Sequence, residues 1–309
     1  MYTENKENTE NLLNLARELE CRVVYNEPLS AHTTFKVGGE CTALVDVSSD
    51  ENLARLTAEA SRLGVRTFVL GKGSNVLFDD KGFKGVVLLM GSSIDDIYMK
   101  DSTTICAQAG CSLIKLCRFA LEHSLSGLEF AYGIPGTVGG AIYMNAGAYD
   151  GEIKDVLKSC TVTGSSGALK VIGADRLDMS YRKSRFTDSD EVITSGEFVL
   201  TPANYDDIQD KMVELMGRRR SKQPLEYPSA GSTFKRPEGQ FAGKLIQDCG
   251  LKGFAIGGAQ VSEKHCGFVI NKGGATCEDI LALIRHIQDT VKEQTGFMLE
   301  CEVKYIPYE

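Results

Sequence analysis

The residues with the clearest chemical meaning lie in two glycine-rich stretches. The longer, GIPGTVGGAIYMNAGAYDG, runs from Gly133 to Gly151, and the shorter is Gly71-Lys72-Gly73-Ser74-Asn75. Glycine tolerates positive φ and lets backbone N–H groups approach a ligand with no Cβ between. Successive N–H groups turned one way make a concave nest suited to phosphate or pyrophosphate. Gly133, Gly136, Gly139 and Gly140 supply bare backbone in the long stretch, and Asn145, Gly147 and Ala148 repeat the small-residue theme a few positions on. An isolated glycine pair is more often a tight structural loop. Two such loops, the shorter directly after the apolar run Thr67 to Leu70, point to one extended phosphate-bearing cofactor.

Two common nucleotide signatures fail on the residues. In GKGSNV, Val76 stands where the third glycine of G-x-G-x-x-G belongs, and a turn rather than a helix pattern follows. No G-x-x-x-x-G-K-[ST] run occurs.

The elements that position these loops follow from periodicity and turn chemistry. Leu12, Leu15 and Leu19 predict a short amphipathic helix over 8–20. Cys41 to Val47 reads as a strand, Ser48 and Glu51 as a capping box, and Gly64 as the end of the helix between them. A strand from Val65 to Leu70 then completes a strand–helix–strand unit, which implies a right-handed crossover and parallel pairing. Beyond it come a strand at Val86 to Met90 and a hairpin, Ile94 to Met99 with Thr103 to Ala109. The helix Ser112 to His123 follows, then a hairpin, Leu157 to Thr163 with Ala168 to Ile172, and a strand at Glu191 to Leu200. A helix from Asn204 to about Arg220 ends in Arg218, Arg219 and Arg220, cations that suit a helix C-terminus. The last third predicts a short helix at Ala242 to Asp248 and strands at Ala255 to Val261 and Gly267 to Asn271. A helix opens at Thr276 and carries Ile280, Leu283, Ile284, Ile287 and Val291 on one face. A terminal strand, Phe297 to Ile306, would place Glu300 and Glu302 on the same side.

Composition bounds the function classes. The 309 residues suffice for two or three domains. A net charge of -8 argues against a general nucleic-acid binder, which needs a basic face. Ten cysteines show no C-x-x-C spacing, so neither a metal nor a dithiol site is expected. Cys106, Cys117 and Cys301 sit inside apolar patterns, as free thiols in a reducing compartment do. No apolar run is long enough to span a bilayer, and the polar, acidic beginning lacks the pattern of a signal peptide. The expectation is a cytoplasmic protein.

Taken in order, TTFKVGG, LGKGSNVLF, GLEFAYGIPGTVGGAIYMNAGAY, SYRKSRF, RRRSKQP, SAGSTFKRP, AGKLIQDCGLKG and LECEVKYI cover the chain from about His32 to its end. This ordered set resembles the UDP-N-acetylenolpyruvoylglucosamine reductase family, flavoenzymes with the PCMH/VAO-type FAD-binding fold. The resemblance implies an α+β protein with FAD-binding subdomains at 1–88 and 89–217 and a substrate-binding domain at 218–309. It implies non-covalent FAD, its pyrophosphate held by Gly71, Gly73, Ser74 and Asn75 together with Gly136, Thr137, Val138, Gly139 and Gly140. Lys72, Gly133, Ile134, Pro135, Asn145, Gly147 and Ala148 would complete the cofactor site. The family passes hydride from NADPH through FAD to the enolpyruvyl ether of UDP-N-acetylglucosamine, making UDP-N-acetylmuramate for peptidoglycan.

By motif, Arg182 of SYRKSRF matches the family's stabilising arginine, Ser232 of AGSTF its proton donor and Glu302 of LECEVKYI its assisting glutamate. Tyr181, Lys222, Lys235 and Arg236 would meet the UDP-sugar. Each residue alone has a bland reading: a surface arginine, a turn serine, a solvated strand glutamate. In family order the bland readings lose. Two departures stand out. Asp150 lies between Tyr149 and Gly151, expected to alter a surface turn only. Little room exists between Arg182 and Arg218 for the tyrosine-bearing loop of some members, so the chain resembles the shorter type.

The nearest rival is another non-covalent FAD oxidoreductase of the same fold. Covalent FAD oxidases commonly carry a histidine in the first phosphate loop, and GKGSN has none. A nucleotide-binding regulator would have no need of Arg182, Ser232 and Glu302 together. The expected protein is a monomer or weak oligomer whose partners are the UDP-sugar and NADPH, with no nucleic acid, membrane or metal.

Overall fold

The computed structural model describes residues 2–309, with side chains from residue 6 onward. The chain divides into two compact units. The first takes the residues up to Tyr25 with Ala43–Lys72 and Gly85–Arg218, and the second takes Asn26–Thr42, Gly73–Lys84 and Arg219–Glu309. The last boundary falls beside the expected start of a domain at 218. The segments 26–42 and 73–84 join the second unit from far away in sequence.

The first unit opens with α1 (Tyr2–Glu18), β1 (Arg22–Tyr25), β2 (Cys41–Asp46), α2 (Asp50–Leu63) and β3 (Thr67–Leu70). Ser49, not Ser48, caps α2 by accepting the Asn52 N–H, and Gly64 ends it at φ 64°. The strand β4 (Val76–Phe78) belongs to the second unit, and β5 (Phe83–Leu89) returns to the first. Sheet order is β1-β2-β5-β3, so the parallel partner of β3 is β5, with Thr67 opposite Val86. The expected direct pairing of the strands flanking α2 is corrected, because β5 inserts between them. That pairing depends on a strand the local pattern cannot weigh.

A second sheet of this unit is built from β6 (Ile97–Met99) and β7 (Thr104–Gln108), then β11 (Leu157–Thr163), β12 (Lys170–Gly173) and β13 (Val192–Val199). Its antiparallel order is β12-β11-β13-β7-β6. Between these strands the chain forms α3 (Leu113–Glu122), β8 (Leu125–Ser126), α4 (Val138–Tyr143) and the pair β9 (Gly147–Ala148) and β10 (Gly151–Glu152). β14 (Thr201–Pro202) pairs with β8, and α5 (Tyr205–Lys222) runs on to the boundary. Both expected hairpins form. Gly196, midway along β13, admits α4: a Cβ there would lie 2.7 Å from Ile142 Cδ1. Leu12, Val45, Leu56, Val86, Leu116, Ile142 and Phe198 belong to one continuous core.

The second unit pairs β15 (Ala255–Ile256), β16 (Ala259–Val261) and β17 (Val269–Asn271) beside α6 (Ala242–Asp248) and α7 (Cys277–Thr295). Along α7, Ile280, Leu283, Ile284, Ile287 and Val291 are all buried, as their spacing predicts. Thr276 and Asp279 cap it reciprocally, and Asp80 adds a carboxylate that accepts from Cys277 N at 2.7 Å and Glu278 N at 3.1 Å. Negative charge at that end is stabilised by the positive pole of the helix dipole. The last strand, β18 (Lys304–Ile306), pairs parallel with β4, Lys304 opposite Val76. It is shorter than expected. Upstream, Cys301 makes only an isolated bridge to Phe234, so alternation does not govern Glu300 and Glu302.

Candidate active site

The loop Gly71–Asn75 leaves the end of β3. Gly73 is buried with φ 59°, and a Cβ on it would lie 2.1 Å from the His32 carbonyl oxygen, so only glycine fits. The Gly73 carbonyl accepts from Thr34 N at 3.1 Å. Among the described residues, the N–H groups of Gly71, Lys72, Gly73 and Ser74 donate to no group of the chain. A run of uncommitted donors on half-buried backbone is what an anion nest requires. The Lys72 side chain is exposed.

The second loop is built differently. Ile134 N donates to Ala131 O and Gly136 N to Ile134 O, both at 2.9 Å, so Gly133, Ile134 and Pro135 form a compact turn. Val138 N donates to Cys111 O at 2.8 Å and Gly139 N to Ala109 O at 2.9 Å. Thr137 caps α4 through Gly140 N, and the Val138 side chain is fully buried in the core. These donors are spent inside the protein. That corrects the expectation that Val138, Gly139 and Gly140 offer their N–H groups to a pyrophosphate. Gly139 is glycine because Ala109 is close: an added Cβ would sit 2.9 Å from Ala109 Cβ. At Gly136 the nearest atom to such a Cβ is 3.6 Å away, and the Thr137 N–H has no partner among the described residues. The loops meet at Gly71, whose Cβ would lie 2.5 Å from Thr137 Oγ1.

After α4 the chain turns back through the β9–β10 hairpin. Asn145, expected at the cofactor, is wholly buried. Its amide donates to Glu152 Oε2 and Ser180 O and accepts from Lys154 N, each at 3.0 Å. Those bonds give it a structural task instead. Gly147 O, also expected at the cofactor, accepts from Arg182 Nη2 at 3.0 Å. Arg182 stacks over the ring of exposed Tyr181 at 5.1 Å. Burial pushes the Glu152 carboxyl up, but hydrogen bonds from Lys154 and Asn145 and the nearby Arg182 charge hold it below the usual range.

In the second unit, Ser232 is exposed while its neighbour Thr233 is fully buried. Thr233 N donates to Gly267 O, its Oγ1 accepts from Val269 N, and its carbonyl accepts from Glu302 N at 2.8 Å. Thr233, next to Ser232 in the chain, therefore ties this segment to the Glu302 backbone, a role the motif alone did not reveal. Asn75 joins them: its Nδ2 donates to Glu302 O at 3.1 Å, and its carbonyl accepts from Lys304 N at 3.0 Å. Lys235 is engaged by Glu300 at 2.5 Å, Arg236 lies over Phe241 at 4.5 Å, and Lys222 ends α5 on the surface. All ten cysteines are free thiols, and among the described residues no acidic, His or Cys group is arranged to hold a metal.

Residues 41–173 match the model of an FAD binding domain, and residues 223–306 match the model of the UDP-N-acetylenolpyruvoylglucosamine reductase C-terminal domain. The reductase of that name from Agathobacter rectalis is 48% identical over 295 residues, 92% of this chain and 94% of its relative. The chain belongs to the UDP-N-acetylenolpyruvoylglucosamine reductase family. Its relative from Caldanaerobacter subterraneus subsp. tengcongensis is 46% identical, covering 93% of this chain and 94% of that one. The crystal structure of the Thermus caldophilus reductase superposes with a TM-score of 0.81 at 35% identity, covering 93% of this chain and all of the other. The fold is thus the α+β FAD-binding architecture expected. The residues present fit FAD: the uncommitted donors at Gly71–Ser74 and the open backbone at Gly136 are suited to its pyrophosphate. No helix among the described residues is long and apolar enough to cross a membrane.

Proposed function

We propose that the chain reduces the enolpyruvyl group of UDP-N-acetyl-3-O-(1-carboxyvinyl)-glucosamine with NADPH, through non-covalent FAD, giving UDP-N-acetylmuramate for peptidoglycan. The observation that carries the reading is near-half identity to reductases of this name over more than nine-tenths of the chain. Residues 1–88 and 89–217 would form the FAD-binding subdomains and 218–309 the substrate domain. The enzyme would act in the cytoplasm, as a monomer or weak oligomer.

When bound, FAD supplies the hydride carrier that no side chain provides. The rest is the protein's work. Arg182 pairs with the substrate carboxylate, where negative charge grows as the vinyl group is reduced, and a planar guanidinium can meet both oxygens. Ser232 delivers a proton to the adjacent carbon: a hydroxyl is a weak acid, but adequate against a strongly basic enolate held beside it. Glu302 would repel an enolate if ionised and unpaired, so it assists while protonated, through water or paired with an arginine. Tyr181, Lys222, Lys235 and Arg236 contact the UDP-sugar, Lys235 exchanging Glu300 for phosphate.

Ser232→Ala separates the two halves of turnover. Flavin reduction by NADPH needs no proton on a sugar carbon and should persist. Reoxidation by the enolpyruvyl sugar should slow by about 10²–10⁴-fold, the usual cost of a lost general acid. Stopped-flow absorbance at the flavin band reads each half separately. Equal slowing of both halves, or of neither, would remove Ser232 from the proton-donor role.

A further inference from the structure

A guanidinium that stabilises charge must be held still, and the structure contains a device that holds Arg182. Arg182 occupies the third place of the turn Ser180–Lys183, closed by Ser180 N to Lys183 O at 3.0 Å and Lys183 N to Ser180 O at 3.1 Å. Its φ is 55°, a left-handed backbone that a residue with a side chain keeps only where its surroundings impose it. The surroundings are the β9–β10 hairpin. Ala148 pairs with Gly151 and Gly147 with Glu152, and the reversal consists of Tyr149 at φ 52° and Asp150 at φ 66°. Two successive left-handed residues make the tight two-residue turn that suits a twisted hairpin. The Asp150 departure therefore sits at a turn, as expected, but that turn closes a functional element. One edge of the hairpin presents Gly147 O to Arg182 Nη2, and the residue opposite, Glu152, is close enough for the Arg182 charge to lower its carboxyl pKa.

Asn145 locks these parts together. Its amide grips the base of the Arg182 turn at Ser180 O and the hairpin at Glu152 Oε2, while its oxygen takes Lys154 N. Both amide hydrogens and the oxygen are used, and the residue is entirely buried. We propose that Asn145 is a positioning residue for Arg182, with Glu152 as the charge that orients the guanidinium. It rests on the role given to Arg182 in the proposed function. The clamp sets where the guanidinium stands without touching substrate.

The test uses holoenzyme and single-turnover reoxidation of reduced flavin by the enolpyruvyl sugar. Asn145→Asp is nearly isosteric and keeps the acceptor for Lys154 N, but it loses both donated bonds. Reoxidation should fall by about 10–100-fold, the scale of a misplacement near 1 Å, while flavin reduction by NADPH falls less. In combination with Arg182→Lys the losses should not multiply, because both act through one guanidinium. Fully multiplicative losses, or parent-like reoxidation in Asn145→Asp, would overturn the positioning role. Should Asn145→Asp fail to fold, Glu152→Gln keeps an oxygen for the Asn145 amide and removes the charge, together with the ion pair that Lys154 Nζ makes to it at 2.6 Å. It must likewise slow reoxidation non-multiplicatively with Arg182→Lys, and multiplicative loss would overturn the proposal. A parent enzyme whose reduced flavin the sugar cannot reoxidise would instead overturn the proposed function.

Discussion

The two glycine loops look alike as text and differ as structure. At Gly71–Ser74 four N–H groups have no partner among the described residues, and glycine is needed because the backbone is left-handed at Gly73 and passes close to His32 and Thr137. In the second loop the donors of Val138 and Gly139 are taken by Cys111 and Ala109, and glycine at 139 is needed for packing. The first is built to receive, the second mainly to be fixed, with Gly136 and the Thr137 N–H its open part. A glycine-rich motif therefore marks close approach, and only the neighbours decide whether ligand or protein does the approaching.

Gly73→Val should have the largest effect. It combines left-handed strain, about 1–2 kcal/mol, with a clash against a backbone carbonyl that cannot swing aside. Denaturant unfolding should report a loss of roughly 2–5 kcal/mol once about 1–3 kcal/mol of overpacking is added, with little flavin retained. Parent-like stability would mean that this loop is as adaptable as any surface turn.

Gly139→Val comes next, at about 1–3 kcal/mol from overpacking against Ala109. Stability and flavin content should fall together. If flavin were lost with stability untouched, the Gly139 N–H would be a phosphate donor after all and the contrast between the loops would collapse.

Gly136→Ala should do the reverse. The new methyl would meet Leu113 Cδ1 at 3.6 Å, an ordinary contact, and its φ lies outside the left-handed region, so stability should hold or rise by about 0.4–1 kcal/mol. FAD affinity, by titration of apoprotein, should drop. Unchanged affinity would take Gly136 out of the cofactor site.

The smallest effect concerns the floor of the second loop. Asp50, at the start of α2, accepts from Gln108 Nε2 at 3.3 Å, next to the Ala109 that holds Gly139. Burial first, then the Glu51 charge, lifts its carboxyl to about 6, against a weaker opposing pull from the Gln108 hydrogen bond. A carboxyl raised on folding favours the protonated native state, so its contribution is full below the unfolded value near 4 and is lost as pH climbs to about 6. The difference in thermal midpoint between parent and Asp50→Asn should therefore shift modestly over that window, the parent losing ground relative to the variant as pH rises. An unaltered pH profile in Asp50→Asn would detach this group from the second loop.

Much of this protein is determined by residues a few places apart. Thr276 with Asp279, the α7 stripe and Gly296 at φ 78° define a helix on local rules, as Gly64 does for α2, because caps and periodicity are interactions within a turn or two. The hairpins of the antiparallel sheet were legible for the same reason, and the ordered motifs carried the family. Tertiary structure decided the rest. It inserted β5 between β2 and β3, ran β18 parallel to β4, placed Asp80 on α7, and used Thr233 to tie its segment to the Glu302 backbone. It also spent the Asn145 amide on Glu152, Ser180 and Lys154 and the Gly139 N–H on Ala109. These are contacts between residues tens to hundreds of positions apart, and their geometry exists only once the chain has folded around them.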